Sequence, residues 1–474
     1  MKVDNRPEQG KAAARLLRVP GPLAAALLIV AAVALAYLPS LSASFQFDDW
    51  NVIVNQPRVH SLSAWWASMP GIRPLTKFTY ALNYELGGGV AGFRAFNVLV
   101  HFLCALLVYC LIRAIALRLH WNAGETGWAP LWVALVFAVH PVQTEAVTYI
   151  SGRSSSVAAL CVLASIVMWL KGSGSIAGRT QWWLWSLILF GLALMAKETA
   201  LVLPLALTVL VVTRDQWRST WPYWLLAGAA IAIILLWPAY RHLIETSLGI
   251  RSIRENLLTQ ANASDFLLHE LWALDNINAD PRLPIVPKAT APVLLRAMLV
   301  VGAVVGGLAL WRRQRAWAIG ILWPLIWLAP TNSLLARFEV ANDRQWYLAL
   351  LGPAWLLACA GHSLASRAGK PVRIALLVVA VIIVAVLTTA TNARNRVYAT
   401  EISYWSDIVR KTPGNARAAN NLGYALALQC RVAEAQVQFQ RALQLEPGYA
   451  LAGVNLRLLQ AGALVPASQQ ICQH

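Results

Sequence analysis

The sequence predicts an all-α protein: a polytopic membrane helix bundle of about eleven transmembrane helices, followed by a small C-terminal α-domain of helical repeats. Three observations predict it. Of 474 residues, 58% are hydrophobic and only 13% charged, a balance outside that of soluble globular chains. Nearly uncharged runs recur at about 20–41, 95–112, 128–144, 154–170, 180–196, 199–213, 219–240, 291–310, 316–336, 346–365 and 374–393. The longer ones suffice to cross a hydrocarbon core of about 30 Å at about 1.5 Å per residue. From about residue 400 the composition turns polar and a period of 34 residues appears.

The N-terminal residues Lys2, Arg6, Lys11, Arg15 and Arg18 precede the first apolar run. They imitate a signal peptide, but the run exceeds the usual 7–15 residues of such a segment, so 20–41 reads as the first membrane helix and 1–18 as a basic cytoplasmic tail. With the N-terminus inside, the inner connections hold Arg113/Arg118, Lys171/Arg179, Arg214/Arg218, Arg312/Arg313/Arg315 and Arg367/Lys370/Arg373. Their acids are only Glu125 and Asp215, beside Asp4 and Glu8 of the tail, a positive-inside pattern. The net charge of +18 is therefore a matter of topology and membrane lipids, and nucleic acid is not an expected partner. Many of the 22 Trp flank the apolar runs, where such rings anchor at headgroup level. The transmembrane domain, 19–398, then carries two long outer loops, 45–93 and 241–290. In the first, a helix ending at Leu86 is stopped by Gly87-Gly88-Gly89; the second is polar, with one amphipathic stretch around Phe266–Trp272.

In the tail, Trp405 and Phe439, Pro413 and Pro447, Asn421 and Asn455, and Leu422 and Leu456 are each 34 residues apart. Leu422-Gly423, Ala435, Phe439, Ala442 and Pro447 occupy the signature places of a tetratricopeptide repeat. An odd number of preceding helices puts this domain, 399–474, on the outer face, where an array so short is expected to dock on something. Four cysteines, Cys104, Cys110, Cys161 and Cys359, lie in apolar runs, and Cys430 and Cys472 pair if the tail lies in an oxidising compartment.

The chemistry centres on Phe45-Gln46-Phe47-Asp48-Asp49-Trp50-Asn51, two carboxylates where the chain leaves the first helix. Acids are expensive near the membrane unless they have a task. On the same face the pattern puts cations at helix ends: Arg73, Lys77, Arg153, Lys197, Arg337 and Arg344. Displacement of a sugar from a lipid phosphate suits this set, because the leaving group needs fixed cations and the incoming hydroxyl needs a base. Glycoside hydrolysis fits less well, since it needs carboxyls about 5 Å or more apart on opposite sides of the bond. Simpler readings stand beside these. Asp48-Asp49 also suits a helix cap and turn, Lys197-Glu198 a re-entrant turn facing water, Arg153 a headgroup anchor, and His140 an interfacial histidine as readily as a metal ligand paired with Glu145. A non-catalytic scaffold or a transporter with a docking arm is the rival class, disfavoured by the scarcity of ionisable groups mid-helix.

The ordered motifs Phe45-x-Phe47-Asp48-Asp49, Arg73-Pro74-Leu75-Thr76 with Asn83-Tyr84, Phe96-Asn97-Val98 with His101, His140-Pro141-Val142-Gln143-Thr144-Glu145 with Ser151-Gly152-Arg153, and Ala196-Lys197-Glu198-Thr199 together resemble the transmembrane and tetratricopeptide-repeat O-mannosyltransferases and their bacterial relatives. These are glycosyltransferases of the GT-C type. The resemblance implies a polyprenyl-phosphate-linked sugar as donor, a bacterial inner membrane, and a Ser or Thr hydroxyl of a periplasmic protein as acceptor, docked on the repeat domain. A glycolipid or envelope polysaccharide is the alternative acceptor. It further implies Asp48 as catalytic base with Asp49 positioning it, Arg153, Lys197 and Arg344 on the lipid phosphate, Arg73 on the loop or the phosphate, and His140, Glu145 and Glu198 in support. No cofactor is expected. A divalent ion held by Asp48, Asp49 and acids of the second loop stays open, with metal-independent action the expectation.

Overall fold

The computed structural model describes residues 20–68, 71–121, 128–174 and 178–465. The basic tail 1–18, Glu125 and Cys472 lie outside them. Among the described residues the regular elements are helices and no strand occurs. Those of eight residues or more are α1 (Pro22–Tyr37), α2 (Pro74–Leu86), α3 (Gly89–Arg118), α4 (Trp128–Val139), α5 (Arg153–Gly174), α6 (Arg179–Ala196), α7 (Leu203–Leu210), α8 (Arg214–Leu236), α9 (Pro238–Ile250), α10 (Ile253–His269), α11 (Ala291–Leu310), α12 (Arg315–Leu328), α13 (Leu351–Arg367), α14 (Lys370–Val397), α15 (Glu401–Lys411), α16 (Ala416–Leu428), α17 (Val432–Leu445) and α18 (Ala450–Gln460).

Each apolar run falls on a helix, but the eleven expected crossings exceed what helix length allows. Among the described residues six helices are long and apolar enough to cross a membrane, or up to eight if two bent pairs each make one span. The runs at 199–213 and 316–336 give α7 and α12, which reach only about 12 and 21 Å. The bent pairs break by 54° at His140 and by 49° at Leu350. The protein is thus a multi-pass membrane protein. At its centre α3, α4 and α5 pack together, with α1 and α14 on one side of α4 and α6 along α5. Ser165 and Ser186 exchange hydrogen bonds across the α5–α6 contact. Helices α11 and α14 lie at the rim, with only 11% of their apolar windows buried against 67% for α5, as expected of surfaces that lipid covers.

Local signals explain the ends of several elements. Helix α2 begins with Pro74 at its first position and ends on Gly87 at φ 73°, the usual asymmetry of proline start and glycine stop. The second outer loop is more ordered than expected: α9 and α10 fill much of it, and the Phe266–Trp272 stretch is the end of α10 and the turn after it. Pro238 at a first helical position and a complete capping box from Ser252 to Glu255 account for this.

Between α4 and α5 the chain from His140 to Gly152 runs through short helical turns and is buried almost throughout. Its polar backbone needs partners. Asn97 of α3 donates to Val147 O at 2.9 Å, and Arg94 donates to Thr148 O at 2.7 Å and also to Ser44 O of the first loop. Arg153, fully buried, reaches across to three acceptors: Asn97 Oδ1 at 2.5 Å, Thr79 O at 3.1 Å and Phe93 O at 2.8 Å. The rings of Tyr80, Phe93 and Phe96 lie against its guanidinium.

After α14, α15 to α18 form a module of successively packed helices that carries the 34-residue period. A side chain at Gly423 would meet the Phe439 ring at 2.8 Å, so glycine is what lets α16 and α17 close. The module sits on the outer loops. Arg417 binds Asp280 at 2.8 Å, Arg282 binds Glu446 at 2.8 Å, Asn278 donates to Thr412 Oγ1 at 2.6 Å, and Arg394 at the end of α14 binds Asp407 at 2.5 Å. Cys430 is disulfide-bonded, and Cys472, the partner the sequence offers, lies outside the described residues.

Arg153→Lys keeps the charge but cannot serve three divergent acceptors with a planar fork. We expect it to leave at least one buried oxygen unsatisfied, at about 1–3 kcal/mol each, and to lower the thermal midpoint in detergent. An unchanged midpoint would show that Arg153 does not hold the 140–153 stretch.

Candidate active site

The first loop enters the site through a helical turn rather than the extended segment expected. Phe47 takes a left-handed backbone, φ 43°, uncommon for a bulky residue. Its ring is fixed edge-on by Trp405 at 5.5 Å and lies beneath the Arg417 guanidinium at 5.6 Å. The two carboxylates that follow diverge. Asp49 is fully buried: Oδ1 accepts from Ser151 N at 2.8 Å and Ser151 Oγ at 2.6 Å, and Oδ2 accepts from Gln46 N at 3.0 Å. Burial pushes this carboxyl up to about 6 against those lowering hydrogen bonds. Asp48 is only partly buried and faces a cleft. Burial raises its carboxyl as well, while the Tyr149 hydroxyl and the Arg344 charge pull it back.

The Asp48 cleft is built from five parts of the chain. Phe47 and Asp48 come from the first loop, Glu145 and Tyr149 from the buried 140–153 stretch, Ala279 and Asp280 from the second loop, Glu339 and Arg344 from the segment between α12 and α13, and Tyr404, Trp405 and Arg417 from the C-terminal module. With the module docked the free space is about 10 Å³, room for one water. A second cleft, of about 40 Å³, is lined by Ser155, Lys197, Thr199, Trp327, Thr331, Arg344 and Tyr347, among others. Arg344 stands on the wall of both.

The charges pair unevenly. Arg344 is held by Glu145, whose Oε2 accepts from its backbone N at 3.0 Å and whose Oε1 lies 3.4 Å from Nε, and by Glu339 at 3.2 Å. Burial pushes Glu339 up, but Arg344, Asn342 and Arg337 outweigh it and hold this carboxyl below its ordinary value. Arg73 forms a two-pronged bond with Glu198, at 2.9 and 2.6 Å. Lys197 sits at the break after α6 and donates to Ser155 Oγ at 2.6 Å. Burial, then the charges of Arg344, Arg73 and Arg337, hold its amine well below the ordinary lysine range. Burial and Arg344 likewise lower Arg337 to about 10.

Of the residues singled out from sequence, Asp48, Glu145, Lys197 and Arg344 line the two clefts, and Arg73 and Glu198 brace each other beside them. Asp49 is placed to anchor the loop on Ser151. Arg153 departs from the expectation of a phosphate ligand: its three nitrogens are consumed by Asn97, Thr79 and Phe93, and it lines neither cleft. His140 also departs from a role at the site, since Val142 N donates to its Nδ1 at 3.3 Å and Nε2 is 3.2 Å from Leu271 O. Among the described residues no group of three or more His, Cys, Asp or Glu is gathered to hold a metal ion. Tyr149, Glu339, Arg417 and Tyr404 complete the cleft without having been singled out, together with Trp405, which the sequence marks only by its place in the 34-residue period.

The Asp49 carboxyl holds its proton more tightly in the fold than in the unfolded chain. Its contribution to stability is therefore largest at acid pH and falls as pH rises from about 4 through about 6. Between about pH 5 and 7 the thermal midpoint of the wild type should drop relative to that of Asp49→Asn, which does not titrate; parallel curves would exclude a burial-strained Asp49.

Residues 69–238 match the family model described as dolichyl-phosphate-mannose-protein mannosyltransferase. The chain is similar to protein O-mannosyl-transferase F38B6.6 of Caenorhabditis elegans, 24% identical over 89% of this chain and 63% of the relative. It is also similar to protein O-mannosyl-transferase Tmtc2 of Drosophila melanogaster, 31% identical over 35% of this chain and 19% of the relative, and to TMTC4 of Homo sapiens, 30% identical over 36% and 27%. The chain thus spans less than two thirds of these relatives. Both comparisons thus make the chain similar to protein O-mannosyltransferases, in line with its ordered motifs.

Proposed function

We propose that the protein is a membrane glycosyltransferase that moves a sugar from a polyprenyl-phosphate donor to a Ser or Thr hydroxyl of an acceptor protein by a single inverting displacement. The observation that carries the reading is Arg344, shared by the Asp48 cleft and the Lys197 cleft. A phosphate held on the Lys197 side by Lys197, Arg344 and Arg337 presents its sugar toward Asp48. Asp48 takes the proton of the incoming hydroxyl as that oxygen attacks the anomeric carbon, and the bond to phosphate breaks on the opposite side. A carboxylate raised by burial is the better base at neutral pH, and cations fixed before reaction stabilise the phosphate as it leaves.

The helices after residue 400 are in this reading a tetratricopeptide module that recruits the acceptor. A cleft with room for one water cannot hold a sugar, so the module swings off its polar contacts for each turnover. In this reading the clefts and the module lie on the periplasmic face of a bacterial inner membrane with the N-terminus cytoplasmic, an orientation that the positive-inside pattern supports.

Membranes carrying the protein, given labelled polyprenyl-phosphate sugars beginning with mannose, should label protein, and Asp48→Asn should lower that transfer by about 10²–10⁴-fold. Transfer that survives Asp48→Asn would overturn the base; label confined to lipid would move the acceptor to a glycolipid. A second measurement reads the phosphate site. Lys197 loses its proton easily when the site is empty and regains it beside an anion, so donor affinity should fall as pH rises in the wild type. Lys197→Arg, always charged, should lose that dependence. Identical pH slopes would remove Lys197 from the phosphate.

A further inference from the structure

The transfer reading assigns no role to Tyr149, yet this side chain is the one that engages Asp48 from below. Its hydroxyl accepts the Asp48 backbone N–H at 3.1 Å. Having accepted, the hydroxyl still has its own hydrogen to give, and Asp48 lines the same cleft. The ring is 3% exposed, in one apolar cluster with Tyr404, Trp405 and Tyr398 and with Phe47 beside it, so the hydroxyl has little freedom to point elsewhere. Burial, with the nearby Asp49 and Asp48 charges, pushes the phenol well above its ordinary value, so it remains a donor throughout the neutral range. The backbone around it is fixed too: Gly152 leaves no space for a side chain, since a Cβ there would lie 2.0 Å from Glu145 O.

We propose that Tyr149 is the positioning residue of the site, its hydroxyl locking the backbone at Asp48 and donating to the Asp48 carboxylate so that this group stays ionised and aimed into the cleft. The inference rests on the reading of Asp48 as base. Other charges face Asp48: Arg344 and Glu339, Glu145 from the buried stretch, Asp280 from the second loop and Arg417 from the module, with Asp49 adjacent in sequence. They set the field at Asp48, whereas Tyr149 is hydrogen-bonded to the Asp48 backbone itself. A tyrosine that only filled space would give the same packing through its ring and leave the ionisation of Asp48 unmoved.

The test is the pH profile of transfer by the full chain in lipid nanodiscs, with kcat and KM measured for the donor. Tyr149→Phe keeps the ring and deletes the hydroxyl. The expected result is a kcat lower by about 10–100-fold with donor KM within about twofold, together with an acidic limb moved to higher pH by about half a unit or more. Replacement of Tyr149 by 3-fluorotyrosine, a stronger donor of nearly the same shape, should move that limb to lower pH, and it carries the test alone if Tyr149→Phe fails to fold. A limb unmoved by both changes overturns the proposal, whether or not kcat falls, because a rate loss without a shift is what lost packing produces. Asp48→Asn separates the two levels: if it retains transfer, the base reading has failed and this inference with it. If it is inactive while both Tyr149 changes leave the limb in place, only the inference has failed.

Discussion

The structure depends on one solution to a solvation problem, that of a broken stretch of short helical turns buried inside a membrane-embedded bundle. From His140 to Gly152 the backbone leaves regular hydrogen bonding where water does not serve it. Helix α3 supplies the remedy through Arg94 and Asn97, which donate to Thr148 O and Val147 O. Arg153, at the start of α5, fastens back onto α2 and α3. That lattice fixes Ser151 for Asp49 and Tyr149 for Asp48, and it carries Glu145 to Arg344. The two acids of the first loop are thus placed from behind, by groups that never face a cleft.

A second organising feature is the division of labour within each charged pair drawn from the motifs. Asp49 is consumed by Ser151 and Gln46 while its neighbour stays available. Arg73 is consumed by Glu198, while Lys197 faces a cleft and donates to Ser155. In each pair one member holds the chain and the other meets what enters.

The sequence made the membrane helices legible because hydrophobic runs and basic connections are local properties. Helix α2 was legible for the same reason, with a proline at its start and glycines past its end. The order inside 241–290 was missed although the Ser252 to Glu255 capping signal was present, since the polar composition of the loop suggested irregular chain. The misreading of Arg153 has another cause. A lone arginine at a helix start looks the same whether its partners are a phosphate or the carbonyls of two other helices, and Thr79, Phe93 and Asn97 come together only in three dimensions. The same holds for Glu339 and Arg417, whose place beside Asp48 is set by how the segment between α12 and α13 and the module fold over it.

The pairing of Arg344 with Glu145 and Glu339 has a consequence for turnover. An arginine that already has carboxylates at hand binds an incoming anion by exchange, so part of the attraction is spent on releasing its internal partners. Affinity is lower than a bare guanidinium would give. In the proposed transfer the same carboxylates would reclaim the arginine once the sugar has gone, and that competition would drive the spent lipid phosphate out. A site furnished only with free cations would hold its product; one built this way would have its own means of letting go.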